Sequence, residues 1–165
     1  SRFEFSRMKY AFPNLGRSSN LEPRTSNPSM KICRFEDIQA WQAARELCRV
    51  VYELTGESRF AKDFGLRDQA RRAAVSIMAN ISEGFDCNSN QEFIQFLYYA
   101  LRSASELQSH LYVAQDQGYV TRSRFDEVYE GAGKVKRMIF GFIDYLRDHK
   151  KHSTMNLEPR TGRSS

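Results

Sequence analysis

The chain is poor in proline, glycine and cysteine. Its 165 residues include four prolines, nine glycines and three cysteines. The cysteines, Cys33, Cys48 and Cys87, are odd in number and widely spaced, so they predict neither a disulfide framework nor a zinc site. Free thiols of this kind are typical of a reducing compartment, and we expect a cytoplasmic protein.

Long hydrophobic runs are also missing. No apolar run approaches the roughly 20 residues that a helix needs to cross a bilayer. The first residues lack the basic and then apolar pattern of a signal peptide, so we expect no membrane association. No segment alternates long enough to predict a strand. Aromatic residues make up 13% of the chain, which favours a packed domain over general disorder.

The sequence also lacks the residue patterns of common catalytic sites. It contains no glycine-rich phosphate loop, no nucleophile elbow and no carboxylate dyad. No glutamate stands three residues before His110, His149 or His152, which excludes the Glu-x-x-His pattern of di-iron helix bundles. We therefore predict a protein that is not an enzyme, with no catalytic residues, no metal, no cofactor and no small-molecule substrate.

The net charge of +5 is confined to the two ends of the chain. Residues 1–30 contain five basic and two acidic residues, residues 151–165 contain three and one, and residues 31–150 contain seventeen of each. This distribution argues against a uniformly basic nucleic-acid-binding core. We predict a disordered basic tail at 1–30, a folded domain at 31–150 and a second disordered tail at 151–165.

Four segments of the domain have apolar residues at steps of three and four, the period of an amphipathic helix. The predicted helices cover about 37–56, 67–84, 89–118 and 121–146. Asp37 is a plausible N-cap for the first, and Ser89 with Glu92 forms a capping box for the third. Gly84 is interpreted as the left-handed stop of the second helix. The prediction is an all-α, antiparallel, up-down-up-down four-helix bundle.

The second helix carries the clearest packing signal. Small and apolar residues fall on one of its faces, and their size lets a neighbouring helix come close. These residues are Leu66, Ala70, Ala73, Ala74, Ile77 and Ile81.

Several motifs together resemble one family, over roughly residues 31–148. They are Phe35-Glu-Asp-Ile, Phe64-Gly-Leu, Gln69-Ala-Arg-Arg-Ala-Ala-Val-Ser-Ile, Ala79-Asn-Ile-Ser-Glu-Gly and Glu92-Phe-Ile-Gln-Phe-Leu. They are similar to the four-helix-bundle proteins encoded by intervening sequences in bacterial 23S rRNA genes. The resemblance implies a left-handed bundle that assembles into a homopentamer. It extends to the accessory proteins of diversity-generating retroelements, which bind a reverse transcriptase and nucleic acid.

Basic side chains on three helices are the predicted nucleic-acid contacts, since guanidinium and ammonium groups suit phosphate oxygens. The alternative interpretation is structural: Asp68 is within reach of the arginines on the second helix, and Glu130 is correctly spaced to pair with a lysine on the fourth. The predicted contacts are Arg45, Arg49, Arg71, Arg72, Lys134, Lys136 and Arg137.

Five other residues are assigned structural roles. We expect Trp41 to lie on the buried face of the first helix and Asn80 to satisfy a backbone group. Glu83 is predicted to order the turn beside Gly84 or to pair with an arginine. Glu106 is predicted to be a buried partner of an arginine on the second helix.

The leading functional prediction is a non-enzymatic oligomer that binds RNA or a ribonucleoprotein. One alternative is a protein-interaction module that serves as the accessory subunit of a retroelement reverse transcriptase. Another is a passenger of its genetic element, without a function for the host.

Overall fold

Four long helices build the domain, as the hydrophobic periodicity predicts. The computed structural model describes residues 32–57 and 59–155, with side chains up to residue 148. No strand occurs in these ranges, so the all-α prediction is confirmed. The helices are α1 (Gln39–Leu54), α2 (Phe64–Phe85), α3 (Asn90–Asp116) and α4 (Arg122–Met155), with short 3-10 helices at Phe35–Asp37 and Phe60–Lys62.

The apolar faces of the four helices meet in one core. Each helix packs against the next in the chain, and α1 also packs against α4. This ring of contacts is compatible with the predicted up-down-up-down order. The predicted stripe of α2 lies in the core from Ala70 to Ile81, while Leu66 is only half-buried. The most deeply buried large side chains include Leu54, Phe60, Ile77, Ile81, Leu97, Leu107, Leu111, Ile139 and Ile143.

The N-cap assignments are partly corrected. Asp37 does not cap α1, because its carboxylate accepts hydrogen bonds from the backbone N–H groups of Cys33 and Arg34, both at 3.0 Å. Helix α2 begins at Phe64, three residues earlier than predicted, because the Asp63 carboxylate accepts from the Leu66 N–H at 3.0 Å. The predicted capping box at the start of α3 is confirmed only in its first half: Ser89 Oγ accepts from the Glu92 N–H at 3.2 Å, but the Glu92 carboxylate accepts from the Ser89 hydroxyl at 3.1 Å rather than from the Ser89 backbone N–H.

Gly84 does not end α2, which corrects its predicted role as a left-handed stop. The helix continues to Phe85, and Gly118 has the only positive φ among the glycines of the described residues. A Cβ on Gly84 would lie 2.5 Å from Phe93 Cδ2 and 2.8 Å from Phe96 Cβ. Glycine is therefore required here for close approach of α3 rather than for backbone conformation.

Gly118 supplies the left-handed residue that ends α3, at φ 65°. Its N–H donates to the Gln115 carbonyl, and the next N–H, from Tyr119, donates to the Ala114 carbonyl, both at 2.9 Å. This pair of bonds is a Schellman motif, and it satisfies two carbonyls that the helix end leaves open.

The last helix is longer than predicted. It continues to Met155, five residues into the segment expected to be a disordered tail. The predicted tail at 1–30 and the rest of the second tail, residues 156–165, lie outside the described residues. None of the helices that the structure describes has the length and apolar character needed to cross a bilayer.

Candidate nucleic-acid interface

Arg71 joins the first two helices. Its Nε donates to Thr55 Oγ1 at 2.8 Å, and its guanidinium lies 4.7 Å from the centroid of the Tyr52 ring. Thr55 is fully buried and donates in turn to the Val51 carbonyl at 2.7 Å. The C-terminal end of α1 therefore orients the Arg71 plane over an exposed tyrosine, a favourable cation–π arrangement.

Two more predicted cations lie on α1, in different surroundings. The Arg45 guanidinium lies 5.9 Å from the Trp41 ring centroid, and Trp41 is half-buried against Phe35 in an edge-to-face contact at 5.0 Å. Arg49 instead forms ion pairs with Glu46 and with Glu53.

The ion pairs of Arg49 have the expected electrostatic consequence. Its hydrogen bond and charge interaction with Glu46 raise the pKa of Arg49 above its ordinary value, and Glu53 adds to the effect. The same hydrogen bond lowers the pKa of Glu46. Because two carboxylates already neutralise this guanidinium, Arg49 is a poor phosphate ligand.

The predicted pairing of Asp68 with Arg71 or Arg72 does not form. Asp68 accepts from Arg67 Nε at 2.9 Å, and Arg67 lies over the Phe64 ring at 4.8 Å. Arg72 is exposed and has no hydrogen-bond or ion-pair partner within residues 32–57 and 59–148.

The basic cluster on α4 divides between two environments. Lys136 Nζ donates to Ser105 Oγ at 2.9 Å and to Gln108 Oε1 at 3.3 Å, so it links α4 to α3 by two hydrogen bonds. Lys134 and Arg137 are exposed, and the side chains described to residue 148 include no carboxylate paired with either. The ion pair anticipated between Glu130 and Lys134 is therefore not made.

Structural roles were predicted for Asn80, Glu83 and Glu106. Asn80 Nδ2 donates to the Ser76 carbonyl at 2.7 Å, within α2. Glu83 is exposed, and its carboxylate has no partner in the described part of the chain. Glu106 is not a buried partner of an arginine: its side chain is 53% exposed, and its Oε1 lies 3.5 Å from His110 Nε2. That separation is too long for a good hydrogen bond, and this buried nitrogen has no hydrogen-bond partner.

Six of the seven predicted cations have no carboxylate partner in the structure as described, and the exception is Arg49. Their surroundings differ from one cation to the next. Arg45 and Arg71 lie beside aromatic rings of α1, Lys136 contacts α3, and Lys134 lines a groove between α1 and α4.

Sequence reasoning missed Tyr52 and Thr55 as the contacts of Arg71. Thr55 precedes Arg71 by 16 residues, so no spacing within one helix could predict their contact. An exposed tyrosine in an amphipathic helix was the available signal, since Tyr52 is 46% exposed.

The described residues contain no group of three or more His, Cys, Asp or Glu side chains placed to hold a metal ion. The surface presents guanidinium groups, aromatic rings and hydrogen-bond donors. These are the groups with which proteins contact phosphates and unpaired bases of nucleic acids.

Comparison with known proteins places the chain in a family. Residues 36–141 match the family described as 23S rRNA-intervening sequence protein. The fold is similar to the crystal structure of a protein of unknown function from the S23 ribosomal protein family of Bacteroides thetaiotaomicron, with 26% identity and a TM-score of 0.57. That similarity covers 63% of this chain and 97% of the other. Comparison with curated proteins gave no match. The chain thus belongs to the 23S rRNA-intervening sequence protein family, and the predicted resemblance is confirmed.

Proposed function

We propose that the chain is a non-enzymatic, cytoplasmic subunit of a homo-oligomer, a pentamer, that binds RNA or a ribonucleoprotein. The observation that supports this proposal is the set of six cations without carboxylate partners. Such cations keep their full charge for phosphate, whereas a paired guanidinium must first lose its partner. Membership of a family named for an rRNA intervening sequence also supports RNA as the ligand.

The chemistry favours contact with backbone phosphates and unpaired bases. Arg45 and Arg71 lie over Trp41 and Tyr52, and aromatic rings with arginine planes are stacking platforms for bases in single strands. The folded domain has no net charge, so binding depends on how the cations are arranged. Assembly of several copies repeats each cationic face around the oligomer, which raises avidity without new contacts.

Removing three exposed cations together is expected to weaken RNA binding. The variant Arg72→Ser, Lys134→Ser, Arg137→Ser should lower affinity for a labelled single-stranded RNA roughly tenfold or more at low salt. The slope of log affinity against log salt should become shallower by about two, since each lost phosphate contact removes about 0.7. A filter-binding titration at several salt concentrations measures both quantities.

The matched control removes one charge of each sign. Arg122→Gln with Asp126→Asn removes an exposed ion pair without changing the net charge, and its affinity and salt slope should equal those of the unmodified chain. A chain reduced to residues 31–155 tests the basic ends separately: if it binds as tightly as the full chain, the ends are not the site. RNA binding is disproved if none of these proteins retains labelled RNA on the filter.

A second candidate is a protein-interaction module, the accessory subunit of a reverse transcriptase. Large exposed apolar side chains favour it, because such groups are typical of protein interfaces. They are Tyr52, Phe64, Val75, Tyr99, Tyr112, Val113, Phe140 and Tyr145. Purification from the native host distinguishes the candidates: a reverse transcriptase that stays bound after ribonuclease treatment supports this second one, and release of all partners supports RNA binding.

A further inference from the structure

Phe64 is the most exposed of the large hydrophobic residues that the structure describes, at 65%. It is the first residue of α2, and the Arg67 guanidinium lies 4.8 Å from its ring centroid. The cap of α2 fixes its position, since the preceding Asp63 holds the first turn through the Leu66 N–H. A phenyl ring in this setting is a rigid apolar projection on a well-defined helix end.

An apolar groove, which could receive an apolar side chain, lies between α1 and α4 and has a volume of about 200 Å³. Its wall is mainly apolar, with Ala43, Leu47 and Val50 from α1 and Val128, Gly131 and Val135 from α4. Gly131 lets the helices approach, because a Cβ there would lie 3.1 Å from Leu47 Cδ1. Enclosed apolar cavities of roughly 150 Å³ accept a benzene ring, so the volume of this groove is large enough for a phenyl side chain.

The charges around the projection and the groove are complementary. The groove is edged by Glu46, Glu127 and Lys134. The two carboxylates are ion-paired with Arg49 and Arg124, which also pair with Glu53 and Glu57, so this edge has four acidic and three basic residues, a net charge of −1. Residues 62–72 around Phe64 contain four basic and two acidic residues, a net charge of +2. Opposite potentials of this kind favour docking of one surface on the other and oppose wrong orientations.

We infer that Phe64 of one copy of the chain inserts into the groove between α1 and α4 of a second copy. This inference rests on the proposed homo-oligomer and names its contact. The projection and the groove are different surfaces, so the contact is head-to-tail, and repeated copies close into a ring when the rotation between them allows it. Such a contact also brings Arg67 of one copy to the acidic edge of the next.

The test compares the assembly of three variants with that of the full chain by light scattering over a range of concentrations. Phe64→Ala removes the projection, and Ala43→Trp fills the groove from a half-buried position. Each should raise the concentration at which half of the chains are assembled roughly 10- to 100-fold, the equivalent of one buried phenyl group. Val75→Ala, which truncates another exposed apolar residue of α2, should leave assembly unchanged.

A photo-crosslinking amino acid at position 64 locates the contact in the assembled protein. Mixing isotope-labelled and unlabelled chains identifies crosslinks between copies, and these should fall within residues 43–50 or 127–135. Circular dichroism confirms that the variants are folded.

The possible failures are distinguishable. If the unmodified chain is monomeric at every concentration, the homo-oligomer of the proposed function is wrong and this contact with it. If the chain assembles but Phe64→Ala assembles equally well, or the crosslinks fall elsewhere, including residues 1–31, only the inferred contact is overturned.

Discussion

Gly84→Ala should destabilise the domain by about 1–3 kcal/mol, even though alanine is the better helix former by about 1 kcal/mol. The added methyl group would lie 2.5 Å from Phe93 Cδ2 and 2.8 Å from Phe96 Cβ. Both contacts are shorter than real Cβ atoms tolerate, and the second is to an atom close to the α3 backbone. The two helices must therefore separate, and the loss of their close packing outweighs the gain in helix propensity.

A second glycine provides the control for this prediction. Gly141 lies within α4, is exposed, and a Cβ there would meet nothing within 4 Å. Gly141→Ala should therefore stabilise the protein by about 0.5–1 kcal/mol, the propensity difference alone. Urea unfolding at one fixed protein concentration measures both changes. Equal effects of the same sign for the two substitutions would show that α3 does not press on Gly84.

The four helices and their buried faces could be predicted because they depend on periodicity alone. Apolar residues at steps of three and four place one face inwards whichever helix lies opposite. The stripe from Ala70 to Ile81 is an example, since those residues are buried as expected.

The role of Gly84 could not be predicted from periodicity. A glycine near a helix end is equally suited to a left-handed stop and to a close approach, because both require the absence of a side chain. Only the position of Phe93 and Phe96 from another helix decides between them.

The partners of the candidate cations were the least predictable feature. Spacing within a helix predicts contacts three or four residues away, and it led to the wrong pairs for Asp68 and Glu130. Two of the candidate cations have partners outside their own helix: Arg71 contacts Thr55, and Lys136 contacts Ser105, 31 residues away. Such contacts depend on how far each helix is rotated about its own axis in the bundle. The hydrophobic pattern shows which face points inwards, but it does not determine that rotation closely enough to predict pairs of side chains on different helices.

Phe60 is a core residue that the helical periodicity could not reveal. It lies in the 3-10 helix between α1 and α2, where no 3.6-residue pattern exists, yet it is only 1% exposed. Its ring lies 5.7 Å from the Tyr119 ring, and Tyr119 Oη donates to the Asp63 carboxylate at 3.3 Å. One side chain thus joins the α1–α2 connection to the α3–α4 connection.

Phe60→Ala should therefore be among the most damaging single substitutions, lowering the free energy of unfolding by about 3–5 kcal/mol. The loss combines the buried apolar area with a cavity that the fixed ends of four helices cannot close. Thermal and urea unfolding at fixed protein concentration measure it, with Lys62→Ala as the control in the same 3-10 helix. Lys62 is exposed, so its substitution should change stability by no more than about 0.5 kcal/mol. If the two variants unfold alike, this connection is a surface loop, and the end of the bundle is held by the helices alone.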